Sequence, residues 1–154
     1  MKLATIWVGK GRVQWAEAGS TEYTRRLPKH LGYQDIQLKP STYKGNEAVV
    51  RDAEAQSILA SIKSGDRLVA MDERGLDLTS EAFASLIDSA AQLGTKRLVF
   101  AIGGPYGHGT AVRNQAWKTV RLSRMVLNHS MARMLLSEQL YRASTLLWGG
   151  QYHH

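Results

Sequence analysis

The sequence predicts an α/β protein, a parallel-type sheet flanked by helices, and three observations carry that reading. Short apolar runs suited to strands alternate along the chain with longer stretches of helical period. The run 98–102, Leu-Val-Phe-Ala-Ile, is apolar throughout, as a strand covered on both faces must be. It stops at Gly103-Gly104-Pro105, with Gly107 and Gly109 close behind. Strand, glycine loop and helix in that order is how α/β proteins hold nucleotide-like ligands at the carboxyl end of a strand. A tight strand-to-helix connection with no ligand is the plainer alternative.

Taken in order, residues 3–8 read as the first strand, turned by Gly9-Lys10-Gly11 into a helix that carries Trp15, Tyr23 and Leu27 and ends near Pro28. This Gly-x-Gly lacks the third glycine of the dinucleotide fingerprint, because Gln14 stands there. Residues 33–38 alternate as a second strand, 40–46 form a polar loop with Lys44, and 47–63 form an amphipathic helix. Residues 67–71 read as a third strand, followed by a charged turn at 72–75. Thr79 is placed to cap a helix running to Leu93, with Glu81 in its first turn and Gly94 at its C-terminal cap. After the glycine loop, residues 111–120 read as helix and 125–127 as a short final strand broken by Asn128-His129. Ser130 then caps a last helix to about Leu147, before a tail ending Gln151-Tyr152-His153-His154.

The length of 154 residues suits a single domain, 1–154, with one real core. Hydrophobic residues make up 44% and charged residues 21%, a globular balance that argues against disorder. No apolar run approaches the roughly 20 residues that span a bilayer, and the N-terminus reads as a strand rather than a signal peptide. Without cysteine, disulfides and thiolate metal sites are excluded, and a reducing, cytoplasmic compartment is expected. Net charge is +7, and six Lys or Arg against the single acid Glu138 place +5 of it from Arg113 onward. That asymmetry points to a polyanionic partner, RNA or DNA first.

On the last helix, Met131, Met134, Leu135, Glu138 and Arg142 fall in one narrow stripe at about 100° per residue. A carboxylate on an apolar stripe needs a partner, and Arg142 stands four residues on, so a buried or interfacial pair is expected. Histidines at 30, 108, 129, 153 and 154 do not cluster with acids as metal ligands would. His129 at a turn and His153 in the tail are the two placed to move a proton. Serine elbow, phosphate-binding P-loop and paired carboxylates are all missing, which leaves chemistry in which a bound cosubstrate brings the reactive group. A Val side chain at Gly104 is expected to clash with that ligand and spare the fold.

These residues carry a resemblance. Phe100-Ala-Ile-Gly-Gly-Pro with Gly107, Arg121-Leu-Ser-Arg-Met-Val-Leu-Asn-His, Arg133, Glu138-Gln-Leu-Tyr-Arg-Ala and Tyr152-His153 are similar to the RlmH family. The likeness spans the chain, including Val8-Gly9-Lys10 and Glu22-Tyr23-x-x-Arg26-Leu27, and is most specific from Phe100 onward. RlmH proteins are SPOUT-superfamily methyltransferases of large-subunit ribosomal RNA. The resemblance implies S-adenosylmethionine-dependent N3 methylation of a pseudouridine in the assembled ribosome, a homodimer, and a C-terminal trefoil knot. It implies a cofactor pocket at Met71, Gly103, Gly104, Ser123, Arg124, Met125, Val126, Leu127 and Asn128. On the substrate side it implies His129, Arg133, Glu138, Arg142, Tyr152 and His153. Within that set, Arg133 and Arg142 are expected to hold phosphate or orient Glu138. No metal is implied. Three departures, Pro-Tyr-Gly-His-Gly in the loop, Asn128 for a proline and a second terminal histidine, resemble the plant and algal branch, which makes the plastid stroma the alternative compartment.

Two other readings follow from the same residues: a non-catalytic ribosome- or RNA-binding module, and a Rossmann-type phosphate-binding enzyme. Pro105 removes an N–H donor from the glycine loop, which weighs against the second.

Overall fold

A computed structural model describes all residues except Arg12, Lys44, His153 and His154. Five strands, β1 (Lys2–Val8), β2 (Gln34–Leu38), β3 (Asp66–Asp77), β4 (Arg97–Ile102) and β5 (Lys118–Arg121), form one sheet in the order β2-β1-β4-β3-β5. Every pairing is parallel. Helices α1 (Gln14–Thr24), α2 (Glu47–Ala60), α3 (Ser80–Gln92), α4 (Thr110–Gln115) and α5 (His129–Trp148) connect and cover them.

The pleat divides the core in two. Leu3, Trp7, Val69, Leu98 and Phe100 pack with Phe83, Ile87, Leu136 and Leu140 under α3 and α5. Ala4, Ile6, Leu68, Val99 and Ala101 face the other way, onto Ala55 and Ile58 of α2 and Val112 of α4. Period-two alternation within strands that are buried on both faces is what a doubly covered parallel sheet requires.

Four boundaries differ from the sequence reading. The stretch 111–120 is a short helix, α4, followed by strand β5. Residues 125–127 are not a strand; Met125 and Val126 are 78% and 84% exposed in an irregular segment. The charged residues 72–75 belong to β3, whose register against β5 shifts between Met71 and Leu76. At Gly75 a Cβ would fall 2.5 Å from the Val120 backbone nitrogen, so only glycine lets β5 close in there. Finally, Asn128 rather than Ser130 caps α5, accepting from the Met131 N–H at 2.9 Å. Thr79 caps α3 through the Ala82 N–H, and Gly94 follows with φ of 71°, both as expected.

The face of α5 that packs inward carries Arg133, Leu136, Ser137, Leu140, Ala143 and Ser144. It centres about half a turn of the helical wheel away from the stripe Met131, Met134, Leu135, Glu138 and Arg142, of which none is buried. The expected stripe is therefore an outer face. No helix among the described residues is long and apolar enough to cross a membrane.

Candidate active site

A cleft of about 410 Å³ opens at the carboxyl ends of β3 and β4. Met71 and Ile102 form its floor, Gly103 to Gly107 one wall, Arg121 to Leu127 another, and His129 with Ala132 of α5 the rim. Of the residues expected around a cofactor, Met71, Gly103, Gly104, Ser123, Met125, Val126 and Leu127 all line it. Arg124 and Asn128 do not: Arg124 points outward to Asp77 at 2.7 Å, and Asn128 is spent on capping α5. Sequence reasoning missed Asp72, Glu73 and Arg74, also in the lining, because four polar residues in a row looked like a turn. Their place directly after an apolar strand was the available signal.

The glycines of the loop serve the chain itself. A Cβ on Gly103 would lie 2.8 Å from the carbonyl of Gly107, across the bridge that pairs residues 104 and 107. Gly107 has φ of 72°, a left-handed conformation that only glycine adopts cheaply. At Gly104 the Cβ position is 2.3 Å from a Glu54 carboxylate oxygen. The expectation that Gly104→Val would strike only the ligand is therefore corrected: it would first strike Glu54 of α2.

Beneath the loop, Asp72 is buried and meets Arg74 at 3.4 Å and Arg113 at 3.6 Å. Arg113 also donates to the His108 carbonyl at 2.5 Å. The His108 ring is buried against the Ala101 carbonyl at 2.9 Å, and burial pushes its pKa below the usual histidine value despite that hydrogen bond. A neutral imidazole thus ties the loop back to β4. On the outer wall, Arg121 and Arg124 converge on Asp77 and hold its carboxyl below the usual aspartate range.

The residues expected on the substrate side divide into three places. His129 stands at the rim, its Nε2 within 3.7 Å of where a Gly9 Cβ would be, which ties the end of β1 to the cleft. Arg133 is 4% exposed on the inner face of α5, stacked 4.5 Å over Trp7 and paired with Glu17 at 2.9 Å and with Asp35. Burial works against its charge, but the two carboxylates outweigh it and raise its pKa. With its guanidinium so engaged, Arg133 fastens α5 to α1 and β2, and the expected phosphate contact is corrected to that role.

Glu138, Arg142 and Tyr152 gather further along α5. Arg142 donates to Glu138 at 2.6 Å, with side-chain exposures of 20% and 14%, so the expected pair forms, but half-buried on the outer face. Tyr152 packs 4.8 Å from the Tyr141 ring, with Arg142 4.9 Å over its face and Arg26 4.3 Å over Tyr141. Its hydrogen bond to Tyr23, with burial behind it, pushes the phenol up to about 12. Twelve residues separate His129 from Tyr141, about 18 Å along the helix axis, so this cluster stands apart from the cleft of its own chain. His153 lies outside the described residues.

A parallel α/β sheet with a loop-walled cleft at the carboxyl ends of its strands defines a protein of the nucleotide-like ligand class. A family model described as "Predicted SPOUT methyltransferase" matches residues 1–153, and the chain belongs to that family. It is 41% identical over 155 residues to the Ribosomal RNA large subunit methyltransferase H of Geobacter sp. (strain M21), covering 100% of this chain and 99% of that one. With the protein of the same description from Trichlorobacter lovleyi it shares 42% over 154 residues, and both chains are covered in full. In three dimensions it aligns with the SpoU methyltransferase AviRb from Streptomyces viridochromogenes, in complex with the cofactor AdoMet, at 15% identity and a TM-score of 0.46. That alignment covers 97% of this chain and 59% of the other.

Proposed function

We propose that this protein is an S-adenosylmethionine-dependent methyltransferase that methylates N3 of a pseudouridine in large-subunit ribosomal RNA of the assembled ribosome, working as a homodimer. The observation that carries the reading is the cleft. Three separate segments that the RlmH resemblance assigns to the cofactor supply residues to one cavity with His129 at its rim: Met71, the glycine loop, and Ser123 with Met125, Val126 and Leu127.

The lining suits the cofactor. A cavity of this size falls within the range of small-ligand sites, with Met71, Ile102, Leu122 and Leu127 as apolar walls for a base. Glu73 and Glu47 add carboxylates to the lining that could compensate a cationic ligand, while Asp72 is already paired with Arg74 and Arg113. When bound, S-adenosylmethionine supplies an electrophilic methyl group on a sulfonium. The remaining tasks fall to the chain: to hold the base so that N3 meets that carbon in line, and to remove the N3 proton as the new N–C bond forms. Tyr152, kept protonated by its hydrogen bond to Tyr23, offers the base an aromatic ring rather than an acceptor for its proton. Proton removal falls to a histidine, His153 beside Tyr152 or His129 at the rim. Arg142 keeps Glu138 oriented within the substrate-side cluster.

Distance supports a second copy. Within one chain the cleft and the Tyr152 cluster are about 18 Å apart along α5. The outer stripe of α5 runs between them, and Met125, Val126, Tyr106 and Met131 stand exposed around the cleft. A two-fold dimer across that face pairs the start of one α5 with the far end of the other, bringing the partner's tail to the cleft. The basic surface of two chains then grips RNA. The compartment is one that holds ribosomes, the cytoplasm, with the plastid stroma as the alternative.

Calorimetry with S-adenosylmethionine, followed by single-turnover methylation of assembled ribosomes read by mass spectrometry, tests the proposal. Cofactor binding and one methyl group on pseudouridine N3 are expected. Ribosome binding without methyl transfer would instead establish a non-catalytic RNA-binding module.

A further inference from the structure

Glu54 of α2 is 3% exposed, yet no role in catalysis or RNA binding reaches it. One carboxylate oxygen accepts the Ser41 N–H at 3.2 Å. The other, Oε2, has no hydrogen-bond partner among the described residues. That oxygen lies 2.3 Å from the position a Gly104 Cβ would take, so it rests directly against the loop that walls the cleft. The same stretch of α2 also underlies the end of the loop, where a Gly109 Cβ would lie 3.0 Å from Ala55 Cβ and 3.2 Å from an Asp52 carboxylate oxygen.

A buried carboxylate with an unsatisfied oxygen costs stability, commonly about 1–3 kcal/mol for the unmade hydrogen bond. Apolar residues of α2 already supply its core contacts through Ala55 and Ile58. Glu54 is therefore poorly explained as a packing residue. Its two oxygens instead touch two separate segments beyond the carboxyl ends of strands, Ser41 after β2 and Gly104 after the central strand β4.

We propose that Glu54 is a positioning residue of the cofactor site: its buried carboxylate bolts the segment before α2 to the glycine loop and sets the height of the Gly104 backbone at the cleft wall. Gly104 lacks a side chain because Glu54 occupies the space, and not because the ligand does. The two residues form one device, and each constrains what the other can be. This rests on the cofactor reading of the cleft, and the test keeps the two separable.

The experiment is a double-mutant cycle on the full-length protein with Gly104→Ala, Glu54→Ala and the combination, read by S-adenosylmethionine affinity in calorimetry and by the melting curve without cofactor. Glu54→Gln serves as the conservative control. Gly104→Ala alone is expected to weaken cofactor binding by about 30-fold or more, since misplacing a positioned group by about an ångström costs on the order of 10². Glu54→Ala should weaken it about 10-fold, and Glu54→Gln, which keeps the Ser41 acceptor and the volume, by no more than about 3-fold. In the double variant the new Cβ has room, and affinity should return to within about 3-fold of Glu54→Ala. A Gly104→Ala penalty as large in the Glu54→Ala background as in the parent would overturn the proposal, for the obstacle would then be the ligand. Unchanged affinity in Glu54→Ala would overturn it too. If Gly104→Ala does not fold, the other two variants still decide the matter, because the double variant should fold and bind. Failure of the parent protein to bind S-adenosylmethionine would refute the cofactor reading instead.

Discussion

The cleft and the tail cluster lie about 18 Å apart along one helix and are built in different ways. The glycine-loop wall of the cleft is backbone backed by its own chain: Gly103 against Gly107, Gly104 against Glu54, and the loop end tied by His108 and Arg113. The Tyr152 cluster is made of long side chains on the surface of α1 and α5, stacked aromatic on cation, with a weakly buried edge. A preset pocket suits a small cofactor that is held the same way in every cycle. An adaptable aromatic and cationic surface suits a base presented by a large folded RNA. On the proposed reading, cofactor binding and substrate binding are encoded in separate regions, which a single chain carries about 18 Å apart.

Mutations can break this comparison at either end. The largest stability effect is expected from Arg133→Met, which strips Glu17 and Asp35 of a buried partner that also stacks on Trp7. Breaking such a pair costs about 3 kcal/mol, or roughly 6–12 °C in melting temperature for a chain of this size. A melting curve checks it. Unchanged stability with lost RNA binding would move Arg133 to the substrate side. Next, deleting residues 151–154 should leave cofactor affinity within a few-fold while cutting single-turnover methylation by about 10² or more. Beside it, His129→Ala tells which histidine removes the proton: normal turnover in the truncation with loss only in His129→Ala assigns the proton to the rim. The smallest effect concerns pH. Burial lowers the His108 pKa in the folded state, so its contribution to stability is complete above the ordinary value of 6.5. That contribution is lost as pH falls below 6.5, because the unfolded chain takes up the proton first. His108→Gln, which keeps a donor for the Ala101 carbonyl, should flatten the melting temperature between pH 7 and 5.5; an unaltered pH slope would place the titration elsewhere.

Much of this arrangement is legible from residue patterns, and the exceptions have physical causes. Apolar alternation reveals the parallel strands because both faces of the sheet are covered. The inner face of α5 escapes detection because it carries Arg133, Ser137 and Ser144, polar residues satisfied by Glu17, Asp35 and helix carbonyls. The apolar stripe opposite then looks like the core. Met125 and Val126 imitate a strand because they are apolar, yet they line the cleft, largely exposed, instead of entering the sheet. The outer part of β3 is polar because beyond Met71 it pairs only with β5. That a side chain at 104 would meet Glu54, and not only a ligand, could not be read, since Glu54 stands fifty residues earlier in the chain. A trefoil knot is likewise a property of threading that no local period expresses.

In the proposed dimer a complete site takes its cofactor cleft from one chain and its tail from the other, and mixing two defective variants puts that to the test. Gly103→Val, whose side chain would collide with the Gly107 carbonyl, disables the cleft and leaves the tail. Deletion of residues 151–154 does the reverse. Each should be inactive alone toward assembled ribosomes. After co-refolding of equal amounts, mixed dimers contain one intact cleft facing one intact tail, and methylation should return to roughly a quarter of the parent value. Mixed dimers that form, as shown by co-purification through a tag on one variant, yet remain inactive would contradict the account and place both halves of the site in a single chain.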